Sequence, residues 1–428
     1  MHTQPFMKLL YLLFIISCFA HCKTGSKQST ENSIAVIRSI DPADDNYQDL
    51  APFQKAIGNA RVVMLGEQTH GEGGTFLART RLIRFLHEKM DFDVLAFESG
   101  FYDVTLIWEN TKNGGQLENE VKGSLFYMYA TSKQMKPLFA YLQTSLHSND
   151  PVTVTGFESQ HSGANAKNKM FEDFEGFLKN FNASSIDSSW TNFKQVAVAT
   201  FSSRAYRPSE KDKQTFFEKL AALKQLLGKH EKDPVTDLLQ SPGFWYRVVA
   251  SIESQAFRYW EMVQGNEVSY RDKQMAENLI WLAEHAYPGK KIIVWAHNIH
   301  VAKQTASLVF APGNQAQQFF STLTPMGTTV EKHFGSNMYT IGFTSSEGSY
   351  QDFNNDQFIN IPAPPAGSIE DRLSRTGYNN AFINLRTGNG WWQQNQTGML
   401  YDFMPVTGKW STVYDGLFFI RKNFPVDR

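Results

Sequence analysis

Residues 62–98 read VVMLGEQTHGEGGTFLARTRLIRFLHEKMDFDVLAFE, and this stretch decides the fold. The apolar run Val62–Leu65 stops at Gly66 and opens a glycine-rich loop that carries Glu67 and His70. A helical pattern follows, and a second apolar run at 93–97 ends in Glu98. Strand, loop, helix and strand in this order are the unit of a parallel sheet, which presents reactive groups at the carboxyl ends of its strands. At about 100° per residue, Phe76, Leu82, Ile83, Leu86 and Met90 share one helix face, and Arg81, Arg84 and Glu88 take the opposite one. Arg79 falls in the middle of the apolar face. A guanidinium does not shed its proton, so an inward arginine needs a partner, and Glu67 and Glu98 are the carboxylates at hand. The plain alternatives are snorkelling off the sheet edge or a purely structural ion pair.

Working outward, strand-like runs recur at 62–65, 93–97, 151–157, 291–296, 338–343, 381–385 and 416–420, several of them separated by helical patterns. They predict an α/β fold, with a mainly parallel or mixed central sheet and helices on both faces. Four runs deliver an ionisable group, Glu67, Glu98, Glu158 or His297, and a sheet that aims all four at one edge is building a site. Between about 165 and 265 the strand signals vanish. FEDFEGFLKNF, FFEKLAALKQLL and GFWYRVVASIESQAFRYWEMV read as amphipathic helices, forming either a subdomain or lid over the site or a packing layer. In the helix near Tyr270, Met275, Leu279, Leu282 and Ala286 share a face with Arg271 at its edge. Arg271 is therefore a second inward arginine, placed to bind substrate, to hold a site carboxylate or to pair with Asp272. The stretch NGWWQQNQTGMLYD, 389–402, is too rich in Gly, Gln, Asn and aromatics to predict a regular element. Its Trp391 and Trp392 either wall a cleft for a bulky apolar substrate or pack on the sheet edge.

The amino terminus is set apart from the fold. Residues 1–22 place Lys8 before an apolar run at 9–20, shorter than the roughly 20 residues a membrane span needs, which predicts a signal peptide. Both cysteines, Cys18 and Cys22, lie there. The segment resembles a lipoprotein signal: Ile15, Ile16, Ser17 and Cys18 fit the lipid-attachment pattern better, while Cys22 is followed by a polar tether, 23–33. A plain cleaved signal is the alternative. Residues 34–428 then form one catalytic domain carrying the helical insertion, exported and periplasmic or membrane-anchored, with the membrane touched only through that anchor. No cysteine follows position 22, which excludes a thiol nucleophile or a thiolate metal site. With 41 Lys plus Arg against 42 Asp plus Glu there is no electrostatic case for nucleic acid, so the expected partner is a small molecule.

Three motifs in order carry a resemblance. G-E-x-T-H with an arginine nine residues after the histidine and a strand ending in glutamate, YRDKQMAENLIWL at 270–282, and WAHNIHVAK with His297 and His300 together resemble the erythromycin esterase family from residue 34 onward. The resemblance implies hydrolysis of a cyclic ester, metal-independent or metal-assisted, with Glu67, His70, Arg79, Glu98, His297 and His300 as the matching positions. It does not imply that this member opens macrolides.

No G-x-S-x-G occurs, so ester hydrolysis here proceeds most simply by attack of an activated water. His70 is the candidate general base, with Glu67 three residues earlier to fix its tautomer. Arg79, held by Glu98, is assigned to the developing oxyanion. His297 and His300 are assigned to protonating the leaving alcohol or donating to the tetrahedral intermediate. No cofactor is required by this scheme. A divalent metal is the open alternative, because Glu67, His70, His297 and His300 supply donors suited to zinc or manganese. His161, His285 and His333 read as structural, with His161 near enough to Glu158 to watch. A lipid-anchored protein that binds a metal or small molecule without turnover is the alternative from another class.

Overall fold

The structure, a computed structural model, describes residues 34–260 and 267–428. The predicted signal and tether, Cys18 and Cys22 with them, lie outside the described residues. Among the described residues twelve strands run in chain order as β1 (Ile34–Ile37), β2 (Val62–Leu65), β3 (Phe92–Gly100), β4 (Thr153–Glu158), β5 (Lys291–Trp295), β6 (Val309–Phe310), β7 (Met338–Gln351), β8 (Phe358–Asn360), β9 (Asn380–Asn384), β10 (Gln396–Tyr401), β11 (Met404–Gly408) and β12 (Gly416–Asn423). The central sheet has the order β1-β9-β12-β7-β2-β5-β3-β4, with β8 added to the end of β7. From β12 to β4 the neighbours are parallel, and β1 and β9 close one edge antiparallel. The sheet is mixed, as expected, and each of the seven predicted runs is one of its strands.

Helices cover both faces, and the alternation along each strand shows why. Val62, Met64, Ile292 and Val294 point into one buried cluster, while Val63, Leu65, Ile293 and Trp295 point into another on the opposite face. A strand buried on both sides has no polar side to show, which is why these runs are apolar without a break. The helix α1 (Gly73–Met90) packs on the second face through Phe76, Leu82, Ile83 and Leu86. Its expected polar side is only partly polar in fact. Arg81 is buried, because the chain at 38–49 folds over it. There Arg81 donates to both carboxylate oxygens of Asp49, at 2.9 and 2.8 Å, and to the carbonyls of Ser39, Asp44 and Asn46.

On the first face lie the helices of the insertion. Phe174, Phe193, Trp245 and Val249 enter the same cluster as Val62 and Met64, with Phe174 stacked on Trp245 at 4.6 Å. Next to them lies the helix Glu267–Trp281, which buries Met275 and Leu279. The stretch 389–402 departs from expectation, since its second half forms β10, which hairpins with β11 in a three-stranded sheet of its own. The glutamines and asparagine fall mostly before the strand, which holds only Gln396 at its start, and its last residues, Met399, Leu400 and Tyr401, are buried on both faces. Among the described residues no helix is long and apolar enough to cross a membrane.

Candidate active site

The four strands expected to present ionisable groups stand side by side, in the order β2-β5-β3-β4, and all four point the same way. Glu67, His297, Glu98 and Glu158 therefore meet at one sheet edge. A register shift between Phe97 and Gly100 breaks the ladder at Glu98 and re-aims its side chain. After β2 the chain passes so close to Asn298 that a Cβ on Gly66 would sit 2.1 Å from its Oδ1, so only glycine fits. Asn298 in turn accepts from Phe343 N, donates to the carbonyls of Phe343 and Leu400, and gives its own amide to the Glu67 carbonyl at 2.7 Å. The loop bearing Glu67 and His70 is thereby fixed to three strands.

Glu67 is fully buried, and each of its oxygens is occupied. Oε1 lies 2.5 Å from His70 Nδ1 and accepts from the Tyr129 hydroxyl at 2.7 Å, while Oε2 receives Arg79. Burial pushes the Glu67 carboxyl up, but the charges of Arg79 and His70 outweigh it and hold it below the usual carboxylate range. Burial also pulls the His70 imidazole down, and the Glu67 carboxylate more than reverses this, so its pKa is raised. With Nδ1 committed to Glu67, the remaining Nε2 belongs to the open side of a ring that is 14% exposed. Phe126 and Phe353 pack edge-on to that ring at 4.8 and 4.9 Å.

Arg79 departs from its expected role. Its guanidinium is wholly buried beneath His70, paired with Glu67 rather than Glu98, donating to the carbonyls of Leu65 at 2.9 Å and Ala296 at 3.3 Å and lying 3.7 Å over the Trp295 ring. It has no path to a substrate oxyanion; it holds Glu67. The carboxylate of Glu98 is held instead by Arg271 at 2.9 Å, His300 at 3.2 Å and the backbone amide of His297 at 2.8 Å. Arg271 also donates from Nε to Glu158 at 2.8 Å, and Asp272, its sequence neighbour, pairs with His300 at 2.8 Å. Arg271 is thus the arginine at the cavity surface, with a side chain 19% exposed.

The two later histidines are less free than their motif suggests. His297 accepts the Ile299 amide at Nδ1, 3.2 Å, so its proton is on Nε2, which donates to the Gln68 carbonyl at 2.9 Å. Burial would strip the His300 proton, but Asp272 and Glu98 on its two sides raise its pKa to about 10. His300 is a fixed cation near neutrality. The same commitments answer the metal alternative: the nitrogens of both histidines and both oxygens of Glu67 are already bonded, and among the described residues no group of three or more His, Cys, Asp and Glu is arranged to hold a metal ion. These residues do not fit the metal site.

All of this opens on a cavity of about 930 Å³. His70, Glu98, Glu158, Arg271, His297 and His300 are its ionisable lining, and Phe126, Phe319, Phe320, Phe353 and Met404 are among its apolar lining. Described residues of the insertion, 165–260, do not line it, so those helices support the site by packing. Trp391 and Trp392 are not there either. Trp392 is buried, donating to the Thr387 carbonyl, and Trp391 packs beside it at 5.5 Å. His161 is buried against Phe201, where burial pulls its pKa down to about 4.

Comparison with known proteins places the chain in a family. The sequence model described as erythromycin esterase matches residues 87–423. The chain belongs to the erythromycin esterase family. It is accordingly an ester-hydrolysing enzyme, which favours turnover over the binding-only alternative. It is 26% identical over 406 residues to erythromycin esterase type II of Escherichia coli, covering 89% of this chain and 94% of that one. It is 25% identical over 411 residues to the Bacillus subtilis protein YbfO, named as a hydrolase, covering 90% and 89%. Two solved structures share the fold: a succinoglycan biosynthesis protein, with a TM-score of 0.74, 18% identity and coverage of 93% and 97%, and an erythromycin esterase mutant in its open conformation, with 0.67, 17% and coverage of 90% and 96%.

Several residues of this esterase site escape a reading of motifs. Tyr129 reaches Glu67 from a short helix, Tyr127–Thr131, and its only sequence signal is the aromatic density of LFYMY after Gly123. Gln68 and Asn298 sit inside the quoted motifs, yet their role is to bind backbone, which spacing does not reveal. Glu72 is buried under the same loop, accepting from the amides of Gln68 and Thr69 at 3.2 Å and from Asn423 at 2.7 Å. Burial raises it to about 8, so it holds its proton near neutrality.

Proposed function

We propose that this esterase is an exported hydrolase that cleaves a carboxylic ester or lactone by direct attack of a water molecule activated by His70. The observation that carries the reading is the 2.5 Å contact of His70 Nδ1 with a buried, charged Glu67, which leaves Nε2 as the free nitrogen at the cavity. His70 Nε2 takes a proton as the water oxygen bonds to the carbonyl carbon, and Glu67 stabilises the imidazolium that forms. Arg271, fixed by Glu98 and Glu158, faces the carbonyl oxygen as charge develops there. The proton on His70 then passes to the departing alkoxide oxygen as the C–O bond breaks, giving an acid and an alcohol, or one hydroxy acid from a lactone. Phe319, Phe320 and Met404 suit a bulky apolar acyl or alcohol part, and erythromycin, named for the Escherichia coli relative, is one candidate of that class. Export rests on the signal-like residues 1–22, and the lipid anchor on Cys18 or Cys22.

The pH dependence of kcat/KM tests the proposal. A general base must be neutral, so activity falls as pH falls through the His70 pKa, which lies above the ordinary value of about 6.5. Glu67→Gln removes the charge that raises it, so the acidic limb moves to lower pH and kcat drops, with both profiles unchanged by chelator. A limb that stays in place in Glu67→Gln contradicts the base assignment. Activity lost to chelator and restored by zinc favours the metal-assisted alternative.

A further inference from the structure

The β10–β11 hairpin ends in a two-residue turn, Asp402 and Phe403, with Tyr401 paired to Met404 across it. Both turn residues have positive φ, 46° and 58°, the left-handed region that such turns require and that Asn-Gly ordinarily fills. Two non-glycine side chains are kept here at a cost in backbone strain, and each has a place to go. Phe403 is buried with Ile361 and Met399 and stacks on Tyr350 at 4.9 Å, anchoring the turn. Asp402 lines the cavity with its side chain 52% exposed. Its amide donates to the Gln68 carbonyl at 3.1 Å, the oxygen that also receives His297 Nε2, and its Oδ1 lies 3.8 Å from that nitrogen. Strain of this kind collects at functional sites when surrounding structure over-determines it.

Resting on the hydrolytic reading, we propose that Asp402 is a positioning residue of the site: the strained turn pins the Gln68–His70 loop through its backbone and sets a carboxylate beside His297, whose ring lies 5.2 Å from that of His70, favouring the His70 imidazolium that forms as water attacks. The groups facing His70 are Glu67, with Arg79 paired behind it, and Tyr129 from beneath, Glu98 from β3, His297 from the end of β5 and Asp402 from the hairpin. Of the three carboxylates Asp402 is the one open to the cavity, 52% exposed where Glu67 and Glu98 are buried, and its nearest imidazole is His297 at 3.8 Å. The charge of Asp402 raises the His70 pKa, in the same direction as those of Glu67 and Glu98.

Asn and Gly both accept positive φ, so Asp402→Asn and Asp402→Gly remove the carboxylate while keeping or relaxing the turn. Three quantities are to be measured for each variant: Tm, kcat on an ester substrate, and the midpoint of the His70 ring C–H titration by NMR, assigned by its disappearance in His70→Ala. The expected result is a Tm equal to or above that of the parent, kcat lower by roughly tenfold or more, and a His70 midpoint moved to lower pH. An unshifted midpoint overturns the proposal whatever the activity, and so does an unchanged kcat. The NMR midpoint needs no substrate, and His70→Ala is assayed in parallel. Full activity of His70→Ala would sink the hydrolytic reading while a shifted midpoint left the coupling of Asp402 to His70 in place, so the two failures are distinguishable.

Discussion

Replacing His70 with alanine is expected to lower kcat by about two to four orders of magnitude, the usual worth of a positioned general base, while leaving the thermal midpoint nearly unchanged. The stability half of the expectation follows from exposure. His70 is the one member of the Glu67, Tyr129, Arg79 and His70 cluster with access to the cavity, and its removal leaves Glu67 still bonded to Tyr129 and Arg79. Steady-state kinetics on the active ester, beside a thermal melt, check both halves together. A variant with full activity removes the mechanism, and a variant that fails to fold contradicts the peripheral placement of the ring.

Arg79→Met is expected to act first on stability. It leaves Glu67 charged, wholly buried and without its cation, which costs about 3–5 kcal/mol, a large share of the roughly 5–15 kcal/mol that holds a domain together. Activity then falls because the protein unfolds or because Glu67 takes up a proton and ceases to orient His70. Removing both charges separates these effects. The double variant Glu67→Gln, Arg79→Met should recover much of the stability, since a neutral amide beside an apolar side chain then replaces an orphaned charge, yet stay poorly active for want of the carboxylate. Urea unfolding of the two single variants and the double variant measures the coupling. Additive losses would mean that Arg79 and Glu67 do not act as the pair that the geometry assigns.

The contrast between the two arginines marks how far sequence reading reaches here. Periodicity alone placed Arg79 inward, and strand ends alone brought Glu67, Glu98, Glu158 and His297 to one edge, because both signals follow from the regular geometry of helices and strands. Which carboxylate meets which arginine depends instead on the order of strands in the sheet. With β5 lying between β2 and β3, Glu98 is two strands away from Glu67, and it falls to Arg271 and His300. The same limit explains the tryptophans: Trp391 and Trp392 are aromatic enough for a cleft, but the chain turns Trp392 into the core beside Thr387, with Trp391 half-buried against it. Tyr129 and Asp402 arrive from a short helix and a hairpin tip whose positions are set by tertiary packing, and no local spacing announces them.

The central claim, direct attack of water, is tested most directly by a single turnover in water enriched in oxygen-18, with enzyme in excess over an ester substrate. The account predicts that the acid product carries one labelled oxygen after the first turnover and that no label enters the protein. An unlabelled acid product in that first turnover, or label recovered in Glu98 or Glu158, would mean that an enzyme oxygen attacks the carbonyl, and would contradict it.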